Sequence, residues 1–182
     1  IAKNIFKEWF IDFGPVKSKV EGKKIVGMAD EVAALFPDSF EESELGQIPK
    51  GWGICNVEKY LKVKHGFAFK GEYFSETETS DILITPGNFR IGGGFKTDKY
   101  KFYKGPEVNG YLLKKNDMLV TMTDLSKAGD TLGYPALVPE KPLLKYLHNQ
   151  RIGLVCFKNN EVSKYWFYQL FLTEQYRARI LG

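Results

Sequence analysis

The stretch "FPDSFEESELGQIPKGW" (residues 36–52) decides how this chain divides. It packs Asp38, Glu41, Glu42 and Glu44 into a few positions, then places Gly46, Pro49 and Gly51 before Trp52. No apolar period of 3.6 or 2 runs through it, and turn-forming residues follow acids, so it reads as a linker over residues 37–51. Charge changes sign across it. Residues 1–49 hold six lysines against nine acids, net −3, whereas residues 50–182 hold twenty Lys and Arg against thirteen acids, net +7. A basic domain behind an acidic lead-in points to an anionic partner for the second part; a merely solvated surface accounts for the charge equally well.

On the N-terminal side, "IAKNIFKEWFIDF" (1–13) sets Ile1, Ile5 and Trp9 beside Phe6, Phe10 and Phe13 at helical spacing. Gly14-Pro15 is expected to stop that helix. A lone helix of this length is marginal, so its rings need a partner, and the last helix of the chain or a second copy is expected to supply it. "MADEVAALF" (28–36) carries a second short helical pattern that Pro37 ends. Residues 1–36 therefore read as a helical arm.

From Trp52 onward the texture changes to short apolar runs punctuated by Gly, Asn and Asp. Strands are expected at "DILIT" (81–85), "DMLVTMT" (117–123), "YPALV" (134–138) and "RIGLVCF" (151–157), and one helix over 159–181. The expected fold class is α+β, a mixed-sheet domain over 52–182 with a short helical arm before it and a helix at its end.

Composition and missing motifs exclude several function classes. The chain is 43% hydrophobic and 15% aromatic, too rich in core formers for disorder. No run of about 18 apolar residues spans a membrane. The chain starts at Ile1 with no charged-then-apolar leader, and is read as a fragment, or a chain whose start is not visible, rather than a secreted precursor. Two cysteines, Cys55 and Cys156, fit a reducing, cytoplasmic setting and read as buried structural residues. Two histidines, His65 and His148, without CxxC or HxxxH spacing, leave no metal centre to expect. GxGxxG, P-loop, GxSxG and HExxH motifs are absent, so neither a cofactor nor a catalytic role is expected.

What the second part does hold is basic and polar residues beside aromatics. "KVKHGFAFKGEYF" (62–74) brings Lys62, Lys64 and Lys70. "PGNFRIGGGFK" (86–96) sets Asn88 and Arg90, both able to read base edges, next to a glycine turn, with Lys96 following. Arg90 has a second reading of equal weight, as a brace for that turn. "KTDKYKFYK" (96–104) supplies Lys99, Lys101 and Lys104; if extended, Lys99 and Lys101 share one face and Tyr100 and Phe102 the other. That arrangement suits a phosphate-facing edge or, as well, an amphipathic strand with solvated lysines. "TMTDLSKAGD" (121–130) offers Thr123, Ser126 and Lys127 after a strand, and "HNQRIG" (148–153) offers Gln150 and Arg151 at a strand entry.

The order of these pieces resembles the specificity subunits of type I restriction-modification systems. "WFIDFGPV" followed by "LFPDSFEESELGQIPKGW" is similar to the junction where a helical region leads into the second target recognition domain of that family. "GFAFKGEYF", "ILITPGNFRIGGGF", "LLKKNDMLVTMT" and "HNQRIGLVCF" follow in the family's order. The resemblance implies a non-enzymatic reader of double-stranded DNA that takes one half of a bipartite target. It also implies DNA methyltransferase (modification) subunits and restriction subunits as partners, with methylation and cleavage residing in them. The alternative from a different class is a protein-interaction module whose exposed aromatics dock a partner.

Overall fold

The apolar period over residues 1–13 becomes a helix α1 (Ala2–Phe10) that closes about one turn before the expected Gly14-Pro15 stop. Phe13 adopts left-handed backbone, φ 55°, and turns the chain directly into α2 (Gly14–Val20). Pro15 thus starts a helix instead of ending one, because the first turn has no intrahelical acceptor waiting for its missing N–H. A single-turn helix α3 (Asp30–Ala33) stands where the "MADEVAALF" pattern falls. The computed structural model describes residues 1–123 and 129–182, which form two compact units, Ile1–Asn56 and Val57–Gly182.

The acidic passage is folded, not open. β1 (Phe40–Ser43) and β2 (Gly46–Pro49) pair antiparallel, Phe40 opposite Pro49 and Ser43 opposite Gly46. Gly46 takes φ +92°, which closes the tight turn, and Ser43 Oγ donates to its carbonyl. The acids are hairpin decoration: Glu42 accepts from the Gln47 amide at 2.9 Å, and Glu41 accepts from the Gly51 N–H at 3.1 Å. Trp52 belongs with the rings of the same unit. It stacks on Phe10 at 6.2 Å and meets Phe13 edge-on at 5.7 Å, while Trp9 meets Phe36 at 6.0 Å. Rings of α1 thus find partners inside their own unit.

The second unit is α+β and carries two sheets. One has the strand order β4 (Phe74–Ser75), β6 (Lys101–Tyr103), β5 (Asp81–Ile84), β10 (Lys145–His148), β7 (Leu112–Leu113). The other runs β3 (Leu61–His65), β11 (Ile152–Phe157), β8 (Met118–Thr121), β9 (Pro135–Leu137), antiparallel throughout. Only β5 with β10 pair parallel among the described strands, Lys145 opposite Asp81 and His148 opposite Ile84. The four expected strands match β5, β8, β9 and β11 to within a residue or two at each end.

Burial explains why these runs read as continuous apolar tracts. On β5, Ile82 and Ile84 enter a core shared with Leu119, Ala136 and Ile152 of the second sheet, while Leu83 joins Phe69, Tyr103 and Leu147 on the far face. On β8, Leu119 faces the first sheet, and Met118 and Val120 face helix α4 (Lys164–Leu170) through Phe167 and Phe171. Each such fully buried side chain contributes roughly 1.5–3 kcal/mol. The expected single helix over 159–181 is two helices. Ser163 caps α4, and Thr173 ends the first segment and opens α5 (Glu174–Leu181): its Oγ1 donates to the Leu170 carbonyl at 2.7 Å and accepts from the Tyr176 N–H at 3.2 Å. Helix α5 is fixed within the unit. Tyr176 stacks on Phe171 at 4.5 Å, and the Arg177 guanidinium lies 4.0 Å over Tyr134 while donating to the Gly129 carbonyl. Among the described residues no helix is long and apolar enough to cross a membrane.

Candidate nucleic-acid interface

The parallel pair β5–β10 ends both strands at one edge, and the loops that leave them build the candidate site. After β5 the chain enters a 3-10 turn, Pro86–Asn88, begun by Thr85. After β10 it makes the turn Asn149-Gln150-Arg151, in which Asn149 Oδ1 accepts from the Arg151 N–H at 3.2 Å. A third loop is laced to this turn: Phe67 N–H donates to the His148 carbonyl at 2.8 Å, and Gln150 N–H donates to the Phe67 carbonyl at 2.9 Å. Gly66 is required there, since a Cβ would sit 2.1 Å from the Asn149 carbonyl oxygen.

These segments enclose an open cleft of about 380 Å³. Phe69, Phe74 and Pro86 make its apolar wall, Thr85, Asn149 and Gln150 its polar one, and Lys101 and Arg151 its cations. The Lys101 ammonium lies over the Phe74 ring, 4.2 Å from the centroid, a cation held by a π-face. A crevice beyond the carboxyl ends of parallel strands is a habitual ligand position in α/β sheets, because the loops diverge there.

His148, 1% exposed, holds the turn from beneath. Its Nε2 lies 2.7 Å from the Ile152 carbonyl, which can only accept, so Nε2 carries a proton. Its Nδ1 is buried with no hydrogen-bond partner. Burial is the main cause that pushes its pKa below the usual histidine value; the Ile152 carbonyl and Asp117 work the other way, and the charges of Lys64 and His65 add to the lowering.

The residues expected to face DNA fall into groups. Lys101, Gln150 and Arg151 line the cleft, and Lys70 sits on its rim loop, 3.8 Å from the Glu72 carboxylate. Thr123 is exposed one residue past Met122, whose N–H donates to the Arg151 carbonyl at 3.1 Å, so it borders the same turn. Ser126 and Lys127 lie outside the described residues. Lys96 and Lys99 follow on the loop between β5 and β6, Lys96 3.5 Å from Asp98 and Lys99 exposed.

Other expected contacts sit elsewhere or are otherwise engaged. Asn88 is 1% exposed: its Oδ1 accepts from the Thr85 N–H at 3.0 Å, and its Nδ2 donates to the carbonyls of Lys99 at 2.8 Å and Lys96 at 3.3 Å. Its amide braces the loop and does not face solvent. Arg90 is exposed, yet Nε donates to the Phe95 carbonyl at 3.2 Å and its backbone pairs with Gly93 and Gly94, the brace geometry. Lys64 donates to the Gly110 carbonyl at 2.6 Å and lies 4.7 Å over Tyr111. Lys62 stands opposite Cys156, three residues or about 10 Å back from the end of β3. Lys104 lies at the amino end of β5, because the antiparallel register sets Lys101 opposite Leu83 and runs the chain backward from there. The same register corrects the one-sided picture of this strand: Phe102 packs between the sheets, but Tyr103 is buried on the Lys101 side.

The wall residues Phe69, Phe74 and Thr85 and the clamp His148 were not singled out by sequence. Their only signal lies in the pairing of β5 with β10, some sixty residues apart. Cys55 is exposed and Cys156 half-buried, so Cys55 is not the buried residue expected. Among the described residues no group of three His, Cys, Asp or Glu could hold a metal ion.

Comparison with known proteins gives two likenesses; no family model matches. The chain is 24% identical over 146 residues to the type I restriction enzyme MjaVIII specificity subunit of Methanocaldococcus jannaschii, a match covering 78% of this chain and 33% of that one. It is 31% identical over 131 residues to DNA-directed RNA polymerase subunit beta' of Aquifex aeolicus, covering 70% of this chain and 8% of that subunit. The chain spans a third or less of the length of these curated relatives. Its likeness to a specificity subunit extends through most of its own length.

Proposed function

We propose that the unit Val57–Gly182 is a DNA target recognition domain of the kind found in type I specificity subunits, and that the edge beyond β5 and β10 faces the duplex. The observation that carries this is the convergence, from two sequence-distant segments, of Lys101 on β6 and of Gln150 and Arg151 on the turn after β10, on one cleft lined by no acid among the described residues. The net +7 of residues 50–182 and the likeness to a specificity subunit support it. Gln150 suits the adenine edge, whose acceptor and donor match a carboxamide. Lys70, Lys96, Lys99 and Lys101 suit backbone phosphates. Thr123 borders the groove-facing turn, Asn88 and Arg90 hold the loop that carries Lys96 and Lys99, and Lys62, Lys64 and Lys104 lie outside the contact. The chain binds and does not catalyse; modification and restriction subunits would supply methylation and cleavage.

Electrophoretic mobility shift on random duplex DNA across a salt series tests this. If the four lysines and Arg151 each neutralise one phosphate, log K falls against log salt with a slope of about −4.5. Absence of a shift at low salt refutes DNA binding and favours a protein-docking module.

A further inference from the structure

Resting on the DNA reading above, we infer that the cleft between the β5 and β10 loops is a seat for a single phosphate group of the DNA backbone, gripped by Lys101 from one side and Arg151 from the other. Charge gives the ligand class: two cations and no carboxylate line the cleft among the described residues, so an anion is what it lacks. Lys70, Lys96 and Lys115 of this unit each stand beside a carboxylate, Glu72, Asp98 and Glu140, in exposed pairs that water screens. Lys101 instead rests on the Phe74 ring, which holds the ammonium without cancelling its charge. The same contact argues against an unstacked base as occupant: Lys101 occupies one face of Phe74, and Phe69 is 7% exposed, so these two rings offer little open surface for stacking. Arg151 brings a planar fork that matches phosphate oxygens, and the Gln150 amide adds a neutral donor. The cations come from elements that the fold fixes independently, Lys101 on β6 and Arg151 on a turn held by His148 and Phe67. A seat of this kind sets the register of the duplex against the loops that read bases.

Ethylation interference tests it. A 30-base-pair duplex is selected from a random pool by the wild-type chain, then ethylated at about one phosphate per molecule and partitioned by binding. Lys101→Met and Arg151→Gln are both exposed substitutions, and matching circular dichroism spectra check that each variant folds. Each is expected to erase the same single interference position and to keep the others, while Lys145→Met, at the amino end of β10, erases none. An unchanged pattern in both variants overturns the phosphate seat while DNA binding stands. Loss of different positions, or of all binding, overturns it as well. If the wild-type chain selects no duplex, the DNA reading falls. The seat is then decided by titrating inorganic phosphate against the Gln150 side-chain amide signal in 15N NMR. A saturable shift, absent in Lys101→Met, supports it, and no shift overturns it.

Discussion

His148 couples pH to the integrity of the candidate site, and His148→Gln separates that coupling from every other titration. The imidazole is 1% exposed and neutral, with Nε2–H donating to the Ile152 carbonyl. Protonation would place a second N–H at Nδ1, where no acceptor exists, in the field of Lys64 and His65 and opposed only by Asp117. The folded-state pKa is therefore depressed below the usual value of about 6.5. Above that value both folded and unfolded chains carry a neutral imidazole, and the full stability is present. As pH falls below it, the unfolded chain takes up a proton that the folded chain refuses, so stability drops by up to about 1.4 kcal/mol per pH unit until the folded pKa is reached. Glutamine keeps a donor for the Ile152 carbonyl and does not titrate. Urea unfolding at pH 7.5, 6.5 and 5.5 should show the wild-type chain losing more stability than His148→Gln over the lower step, by up to about 1 kcal/mol. His148→Leu, which leaves the carbonyl unpaired, should cost about 1–3 kcal/mol at every pH. Parallel pH dependences for the wild-type chain and His148→Gln would refute a neutral, clamped imidazole.

Gly66→Ala drives a Cβ to 2.1 Å from the Asn149 carbonyl oxygen, so it should lower the melting temperature by about 5–10 °C, read by circular dichroism. Asn88→Ala strips the Lys96 and Lys99 carbonyls and the Thr85 N–H of partners, and should cost about 2–4 kcal/mol in urea unfolding while moving DNA affinity through loop order. Limited proteolysis should cut first within the exposed, irregular segment 53–56, with the paired hairpin 40–49 protected; first cleavage inside the hairpin would contradict the register seen there.

Much of the second unit was legible because its core strands are buried on both faces, and continuous runs such as Met118–Thr121 announce that burial. The hairpin at 40–49 was not, since its strands, "FEES" and "GQIP", show no alternation and are half-exposed. The break at Thr173 was hidden by apolar residues on both sides of it; only the cap geometry reveals that its hydroxyl has replaced the helix ladder. Of the candidate site, Lys101, Gln150 and Arg151 were identifiable as polar residues in loops. Their convergence was not, because it depends on a pairing between segments with four other strands between them. Asn88 misled for a related reason: an amide on a loop can brace it or face outward, and only the fold decides.

The lone parallel pair has a kinetic consequence. Ile84 and His148 stand side by side with more than sixty residues of chain closing between them, a connection that includes β6, β7, β8 and β9. Parallel pairing across such a span is entropically costly and forms after local hairpins have been made. The edge that carries the cleft is therefore among the last features of the unit to exist during folding. A chain stalled before that step holds most of its sheets and lacks the cleft between the β5 and β10 loops.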